Sequence, residues 1–155
     1  MLSPSMTDRP FAPPLTHSIV VELAGEPVAK GRPKFGRGHA YTPQRTRNYE
    51  TDLQWRAKQA MRGRMMLEGA LKVDVLAAFP VPRSWSKIKQ ARALAGILRP
   101  TGRPDADNVL KSAGDALNGI VWRDDSQIVS ATITKRYSDR PRLRIEVEVL
   151  FTGVA

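Results

Sequence analysis

The chain has 155 residues, with 25 lysines and arginines against 15 acidic residues, so its net charge at neutral pH is +10. This length is typical of a single domain with its own hydrophobic core. The absence of cysteine excludes disulfides and thiolate metal sites, and two histidines are too few to expect a histidine-based zinc site. We expect no membrane span and no secretory signal, hence a cytoplasmic protein. The strong positive charge indicates an anionic partner such as nucleic acid.

The N-terminal part of the chain divides into a tail, a strand and a basic segment. Residues 1–16 contain four prolines and little periodicity, so we expect a disordered tail, with one domain over residues 17–155. Apolar residues alternate from Ser18 to Leu23, which predicts a first strand. Residues 28–41 combine three glycines with dense positive charge, typical of a loop or irregular hairpin that approaches phosphates. A solvated basic loop is the alternative that composition alone supports.

Two helices and a strand are expected in the middle of the chain. Thr42 and Pro43 predict a helix start, and Gly63 its end. Leu71 to Phe79 reads as a strand, on whose polar face Asp74 is either an ordinary exposed residue or a neighbour of the acidic cluster described below. Ser84 is predicted to cap a second helix that runs to Leu94. The basic face of that helix is either solvated or a second DNA contact, and the sequence leaves this open.

The C-terminal part carries two alternating patterns, over 129–134 and 143–151, separated by a turn at 138–141. They predict two strands that form an antiparallel hairpin. Strands at both ends of the chain with helices between them predict an α+β fold. We therefore expect a single domain with one mixed sheet covered by helices.

The stretch from Arg103 to Gln127 holds five of the fifteen acidic residues. A helix is expected to start at Asp105 and to end at 118–119, with Asp107 and Lys111 sharing one face. The following turn returns Asp124 and Asp125 toward that helix. Carboxylates grouped on a basic protein indicate a divalent cation between them. Acids that complement the helix dipole, followed by ordinary turn chemistry, are the other interpretation.

Residues 104–128 carry a long motif, Pro-Asp-x-Asp-Asn, then Lys111, Asp-Ala-Leu-Asn-Gly, and Trp-x-Asp-Asp-x-Gln-Ile. This motif resembles the RusA family of Holliday junction resolvases. An upstream block resembles one branch of the same family: Lys-Gly-Arg-Pro-Lys-Phe from Lys30, followed by Tyr-Thr-Pro, Arg-Thr-Arg and Tyr-Glu up to Glu50. The chain departs from some members at Pro104, where a basic residue can stand directly before the first aspartate.

The resemblance implies a metal-dependent crossover junction endonuclease with Asp105, Asp107, Lys111 and Asp125 as catalytic residues. The three aspartates would hold Mg²⁺, or Mn²⁺ in its place. The chemistry of the Asp124–Asp125 doublet does not show which of the two binds the metal. Asp125 is chosen because it matches the family's functional position, and Asp124 then has a supporting role. Lys111 would neutralise charge on the scissile phosphate or orient the attacking water. The DNA-binding residues would be Lys30, Arg32, Lys34, Arg37, Arg45, Arg47 and Arg103.

The family likeness also implies a homodimer on branched DNA, with paired symmetric nicks that leave 5′-phosphate and 3′-hydroxyl ends, in DNA recombination and repair. Proteins of this kind are often carried by bacteriophages and prophages. Two alternatives remain at this point. One is a basic protein that binds branched DNA without cutting it, and the other is a nuclease of the same build that acts on forks or flaps.

Overall fold

The computed structural model describes residues 18–30, 34–41 and 43–150, so the tail expected over 1–16 lies outside the described residues. The described chain forms a four-stranded sheet, a small two-stranded sheet, three helices and one turn of 3₁₀ helix at Asp125–Gln127. In chain order the elements are β1 Ser18–Ala24, β2 Lys34–Gly36, β3 His39–Tyr41, α1 Gln44–Met61, β4 Leu71–Pro80, α2 Lys87–Leu94, α3 Ala106–Leu117, β5 Ile128–Ser138 and β6 Arg142–Val149.

The four-stranded sheet has the order β1-β6-β4-β5, in which β6 runs antiparallel to both neighbours and β4 runs parallel to β5. The predicted single-domain α+β fold with one mixed sheet is therefore confirmed. The two C-terminal strands run antiparallel and are joined by a short turn, as expected. The predicted direct pairing of these two strands is not found, because β4 lies between them and pairs with both. Residues 77–79 of β4 are buried in succession, which places this strand in the middle of the sheet rather than at an edge.

One face of the sheet carries the hydrophobic core. Val21, Val73 and Ile145 point from three strands toward Leu53 of α1 and Leu117 of α3, and all five side chains are buried. Burying a side chain of this kind contributes about 1.5–3 kcal/mol relative to leaving it exposed. The core therefore fixes α1 and α3 side by side on the same face of the sheet.

The opposite face of the sheet is polar. Asp74 lies there, where its carboxylate accepts from the Thr132 hydroxyl and lies 3.6 Å from the Lys72 ammonium. Since Asp74 alternates with the buried residues Val73 and Val75, it points away from α3. Asp74 is thus an ordinary strand residue, the first of the two interpretations of its sequence position.

Two predicted helix boundaries can be compared with the structure. Helix α1 begins after Pro43 and ends with Arg62 in the left-handed conformation, one residue before the expected Gly63, while Thr42 lies outside the described residues. Helix α2 is capped by Ser86, whose hydroxyl accepts from the Lys89 amide at 3.2 Å, so the prediction of Ser84 as the cap is wrong. The Trp85 amide bonds back to Pro82, which keeps residue 84 within a turn. Within the described ranges, no helix is both long and apolar enough to span a bilayer.

Candidate active site

A pocket of about 1020 Å³ opens between the segment after β1 and the first turns of α3. Its walls combine acidic and basic side chains in one place, with residues 26–30 on one side and the start of α3 on the other. The charged residues that line it are Glu26, Lys30, Arg45, Arg103, Asp105, Asp107, Lys111 and Asp115. The structure thus brings together most of the residues that the sequence nominated for chemistry.

Asp105 stands at the N-cap position of α3 but does not act as a cap. An aspartate there ordinarily accepts a bond from an amide of the first helical turn. The Asp105 side chain makes no such bond, although its backbone carbonyl accepts from Val109 at 3.1 Å as the helix requires. The chain enters this position through a cis Arg103–Pro104 peptide bond. Because the Asp105 carboxylate caps no amide of the helix, it is available to groups that enter the pocket.

Asp107 and Lys111 extend the same wall by one helical turn. They are four residues apart, so their side chains stack on one face of α3 about 6 Å apart along its axis. Asp107 also complements the positive end of the helix dipole. In the described part of the chain, no carboxylate lies within 4.0 Å of the Lys111 ammonium. Lys111 is consequently a cation in the pocket whose charge no neighbouring carboxylate neutralises.

Asp125 lies further along α3 than the sequence led us to expect. The indole of the fully buried Trp122 donates to Asp125 Oδ1 at 2.8 Å. A Cβ placed on Gly114 would lie 3.8 and 3.9 Å from the two carboxylate oxygens of Asp125, so this carboxylate rests against α3 at Gly114. Gly114 shares a face with Asp107 but is seven residues beyond it, a distance of about 10 Å along the axis.

The three aspartates expected to share a metal ion are therefore divided in space. Asp105 and Asp107 line the pocket, whereas Asp125 does not. Among the residues that the structure describes, no three acidic or histidine side chains are close enough to hold one ion together. Lys111 lies between the two positions, one turn from Asp107 and about one turn from Gly114. Of the three aspartates predicted to hold the metal, two therefore lie in the pocket and the third lies past Lys111.

Asp124, the first residue of the acidic doublet, stabilises the turn that positions Asp125. Its carboxylate accepts from the Ser126 amide at 3.3 Å, and the Gln127 side chain accepts from the Asp124 amide at 3.2 Å, which together form a capping box. Gln127 also donates to the Leu67 carbonyl at 3.0 Å and so fastens this turn to the segment before β4. The two aspartates of the doublet thus have different surroundings, one in the turn and one against α3.

Lys30 joins three elements of the site. Its ammonium lies 3.6 Å from Glu50 Oε1 on α1 and 3.5 Å from Asp115 Oδ2 on α3. Lys30 is one of the residues predicted to bind DNA, and the sequence alone does not show which acids it pairs with. Because the two acids stand on different helices, Lys30 ties the wall formed by residues 26–30 to both of them. The signal in the sequence was a basic residue in a glycine-rich segment, which does not reveal distant partners.

Two adjacent residues of α1 have buried oxygens without a hydrogen-bond partner among the described side chains, the Tyr49 hydroxyl and Glu50 Oε1. Burial raises the pKa of Tyr49 to about 12, and the nearby Val28 backbone opposes this shift weakly. The folded protein therefore favours the neutral phenol. This preference contributes in full to the free energy of unfolding when the pH is below the ordinary tyrosine pKa of 10.0. The contribution is lost as the pH rises through about 12.

Replacing Lys30 with methionine is expected to lower the free energy of unfolding by about 1–2 kcal/mol, because Glu50 would keep a buried oxygen with no cation beside it. Urea denaturation measures this. The matched control is Lys58→Met on the exposed side of α1, where we expect a change within about 0.5 kcal/mol. Equal stability of the two variants would show that the ion pairs of Lys30 do not hold the pocket wall.

The other residues predicted to bind DNA lie in three places. Arg45 and Arg103 line the pocket itself. Arg37 is exposed in the turn between β2 and β3, where it and Gly38 both have positive φ, the conformation of a tight two-residue hairpin turn. Arg47 is exposed on α1 and donates to Gln44 Oε1 at 2.7 Å. Arg32 and the side chain of Lys34 lie outside the described residues.

Comparison with known proteins gives a consistent result. Residues 24–148 match the family model described as endodeoxyribonuclease RusA. A Bacillus subtilis (strain 168) protein, named uncharacterized protein YqaN, is 37% identical over 135 residues, which cover 83% of this chain and 94% of that protein. The family match contains the pocket, both helices that flank it, and the strands β4, β5 and β6 apart from Val149, whereas it includes only the last residue of β1, Ala24.

Proposed function

The chain belongs to the RusA family of endodeoxyribonucleases, and from that premise we propose that it is a magnesium-dependent endonuclease that resolves four-way DNA junctions. A homodimer would make paired symmetric nicks that leave 5′-phosphate and 3′-hydroxyl ends, in DNA recombination and repair in a bacterial cytoplasm. The observation that carries the proposal is the Asp105 carboxylate, which makes no capping bond to its helix and lines a pocket of acidic and basic side chains together with Asp107 and Lys111.

The side chains of the pocket suit a hard divalent cation. Mg²⁺ is usually bound by one or two carboxylates, with water and substrate phosphate in its other positions. Asp105 and Asp107 supply two carboxylates in the pocket, and Mn²⁺ accepts the same oxygen donors. When bound, the ion would lower the pKa of a water molecule and offset charge on the phosphate. Asp125, which rests one turn past Lys111, would join this set as the third carboxylate only when substrate or metal is present.

The basic side chains of the pocket would handle the phosphodiester. Lys111 stands one turn beyond Asp107 and forms no salt bridge within the described chain, so its ammonium would stabilise negative charge that develops on the scissile phosphate. Arg45 and Arg103 would bind the flanking phosphates, since guanidinium groups form charge-assisted bonds to phosphate oxygens. A junction has near two-fold symmetry, so a symmetric dimer would present one such pocket to each of two opposed strands.

A cleavage assay on a mobile four-way junction, with Mg²⁺, with Mn²⁺ and with a chelator, tests the proposal. We expect metal-dependent nicks at symmetric positions on opposed strands, with ends that DNA ligase can join. A junction that stays intact in both metals while it is bound would support the alternative of a non-catalytic basic protein. Faster cutting of a fork or flap of the same sequence would instead move the preferred substrate to that structure.

A further inference from the structure

Residues 83–103, here called the basic arm, connect β4 to α3 and are far more basic than the rest of the chain. They contain six basic residues and no acidic one, so they hold six of the ten net positive charges. The acid-free stretch that surrounds them runs from residue 75 to residue 104. The six basic residues are Arg83, Lys87, Lys89, Arg92, Arg99 and Arg103.

The charge of the basic arm is not neutralised within the described part of the protein. None of its six cations lies within 4.0 Å of a carboxylate there, whereas Lys72, Arg142 and Arg144 on the sheet each have an acidic partner. Like charges gathered without counterions repel one another and attract a polyanion. The contrast with the sheet indicates that this surface is complementary to something outside the protein.

The surface is also held in a fixed position, although much of it is exposed. The Trp85 ring meets Tyr137 of β5 edge-on at a centroid distance of 5.3 Å, and the Lys89 ammonium lies 4.0 Å from the centre of the Trp85 ring. Gln90 donates to the Trp85 carbonyl at 2.8 Å, and Ala93 is fully buried. A surface ordered before it meets its partner loses less conformational entropy on binding.

Helix α2 presents three cations and an aliphatic side chain to the solvent. Lys87 and Arg92 are exposed on either side of Ile88, of which 73% is exposed. Cations that flank apolar groups suit a sugar-phosphate backbone, where phosphates alternate with the apolar edges of deoxyribose.

The basic arm leads directly into the pocket. The Lys135 ammonium donates to the Gly102 carbonyl at 2.7 Å, and the next two residues, Arg103 and Pro104, line the pocket beside Asp105. DNA whose phosphate lies in the pocket would therefore have duplex close to this surface. We propose that the basic arm is the docking surface for one duplex arm of the DNA substrate, with Lys87 and Arg92 on its phosphates. The inference depends on the proposed function in taking DNA as the substrate.

The first test compares two double variants with equal loss of charge. Lys87→Gln with Arg92→Gln removes two of the three exposed cations of α2, and Lys58→Gln with Arg64→Gln removes two exposed cations at the far end of α1. Binding to a four-way junction is measured without divalent metal at several salt concentrations. Each lost phosphate contact makes the slope of log affinity against log salt shallower by about 0.9. We expect the α2 variant to bind roughly tenfold more weakly at 0.1 M salt, with a slope shallower by about two, and the control to keep its slope.

A second measurement uses the absence of cysteine from the chain. A single cysteine at Ala91 on α2, or at Gln59 on α1 as control, carries a short photo-crosslinker, since both positions are exposed. Crosslinks to duplex arms from Ala91→Cys but not from Gln59→Cys support the inference. Equal crosslinking, or equal salt slopes for the two double variants, would overturn it. Neither the binding measurement nor the crosslinking requires cleavage. A wild-type protein that binds junctions but never cuts them would refute the proposed nuclease activity, and these two measurements would still test whether the basic arm contacts DNA.

Discussion

Asp105→Asn is expected to reduce the rate of junction cleavage by roughly a thousandfold, which corresponds to about 4 kcal/mol of transition-state stabilisation. Asparagine has the size of aspartate and is an equally good residue at a helix start, so α3 should form as before. What changes is the charge of one of the two pocket carboxylates that are proposed to bind the metal. Removing a negative charge next to DNA should leave binding equal or tighter, so the loss appears in the cleavage step. Single-turnover cleavage and a separate binding titration measure the two effects.

The control for this variant is Asp52→Asn on the exposed side of α1, which removes the same charge away from the pocket. It is expected to cleave within about twofold of the wild type. If Asp107→Asn needs a higher Mg²⁺ concentration for half-maximal cleavage, this would support the proposal that Asp105 and Asp107 bind the metal. Full cleavage by Asp105→Asn in Mg²⁺ would reject the assignment of the pocket as the catalytic site.

The parts of the fold that local sequence determines could be predicted, and those that depend on distant pairing could not. The alternation from Ser18 predicted β1, and the start and end signals at Asp105 and at residues 118–119 predicted α3, both at nearly their observed positions. The insertion of β4 between the last two strands could not be predicted in the same way. A pattern of period two shows which residues share a face but not which strand lies beside them. The uninterrupted apolar run over residues 75–79 was the available sign in the sequence that β4 is central.

The candidate site shows the same division. Asp107 and Lys111 share a face because helix geometry alone places residues four apart on one side. The position of Asp125 depends on Trp122, whose burial in the core decides where the following turn meets α3. The contacts of Lys30 with Glu50 and Asp115 join segments that are remote in sequence, so no local pattern could reveal them. Long-range packing therefore determines how the acids are grouped, while local periodicity determines only which of them share a helix.

Asp125→Asn separates a chemical role of this residue from a structural one. An asparagine Oδ1 can still accept the Trp122 indole bond, so the turn and its contact with Gly114 should persist while the negative charge is lost. If the third carboxylate joins Asp105 and Asp107 around the metal during cleavage, the variant should cut roughly a hundredfold more slowly. It should also need more Mg²⁺ for half-maximal cleavage, and it should unfold at the same urea concentration as the wild type.

The neighbouring substitution Asp124→Asn provides the control, because asparagine caps the 3₁₀ turn as well as aspartate does and the charge removed is the same. We expect it to cleave within about twofold of the wild type. Asp125→Ala loses both the charge and the bond from the buried indole, so it should add a loss of stability of about 1–3 kcal/mol to the loss of cleavage. If Asp125→Asn cut normally and only Asp125→Ala were impaired, the carboxylate would serve to hold Trp122. The pocket would then work with Asp105 and Asp107 as its two metal-binding carboxylates, a number that Mg²⁺ readily accepts.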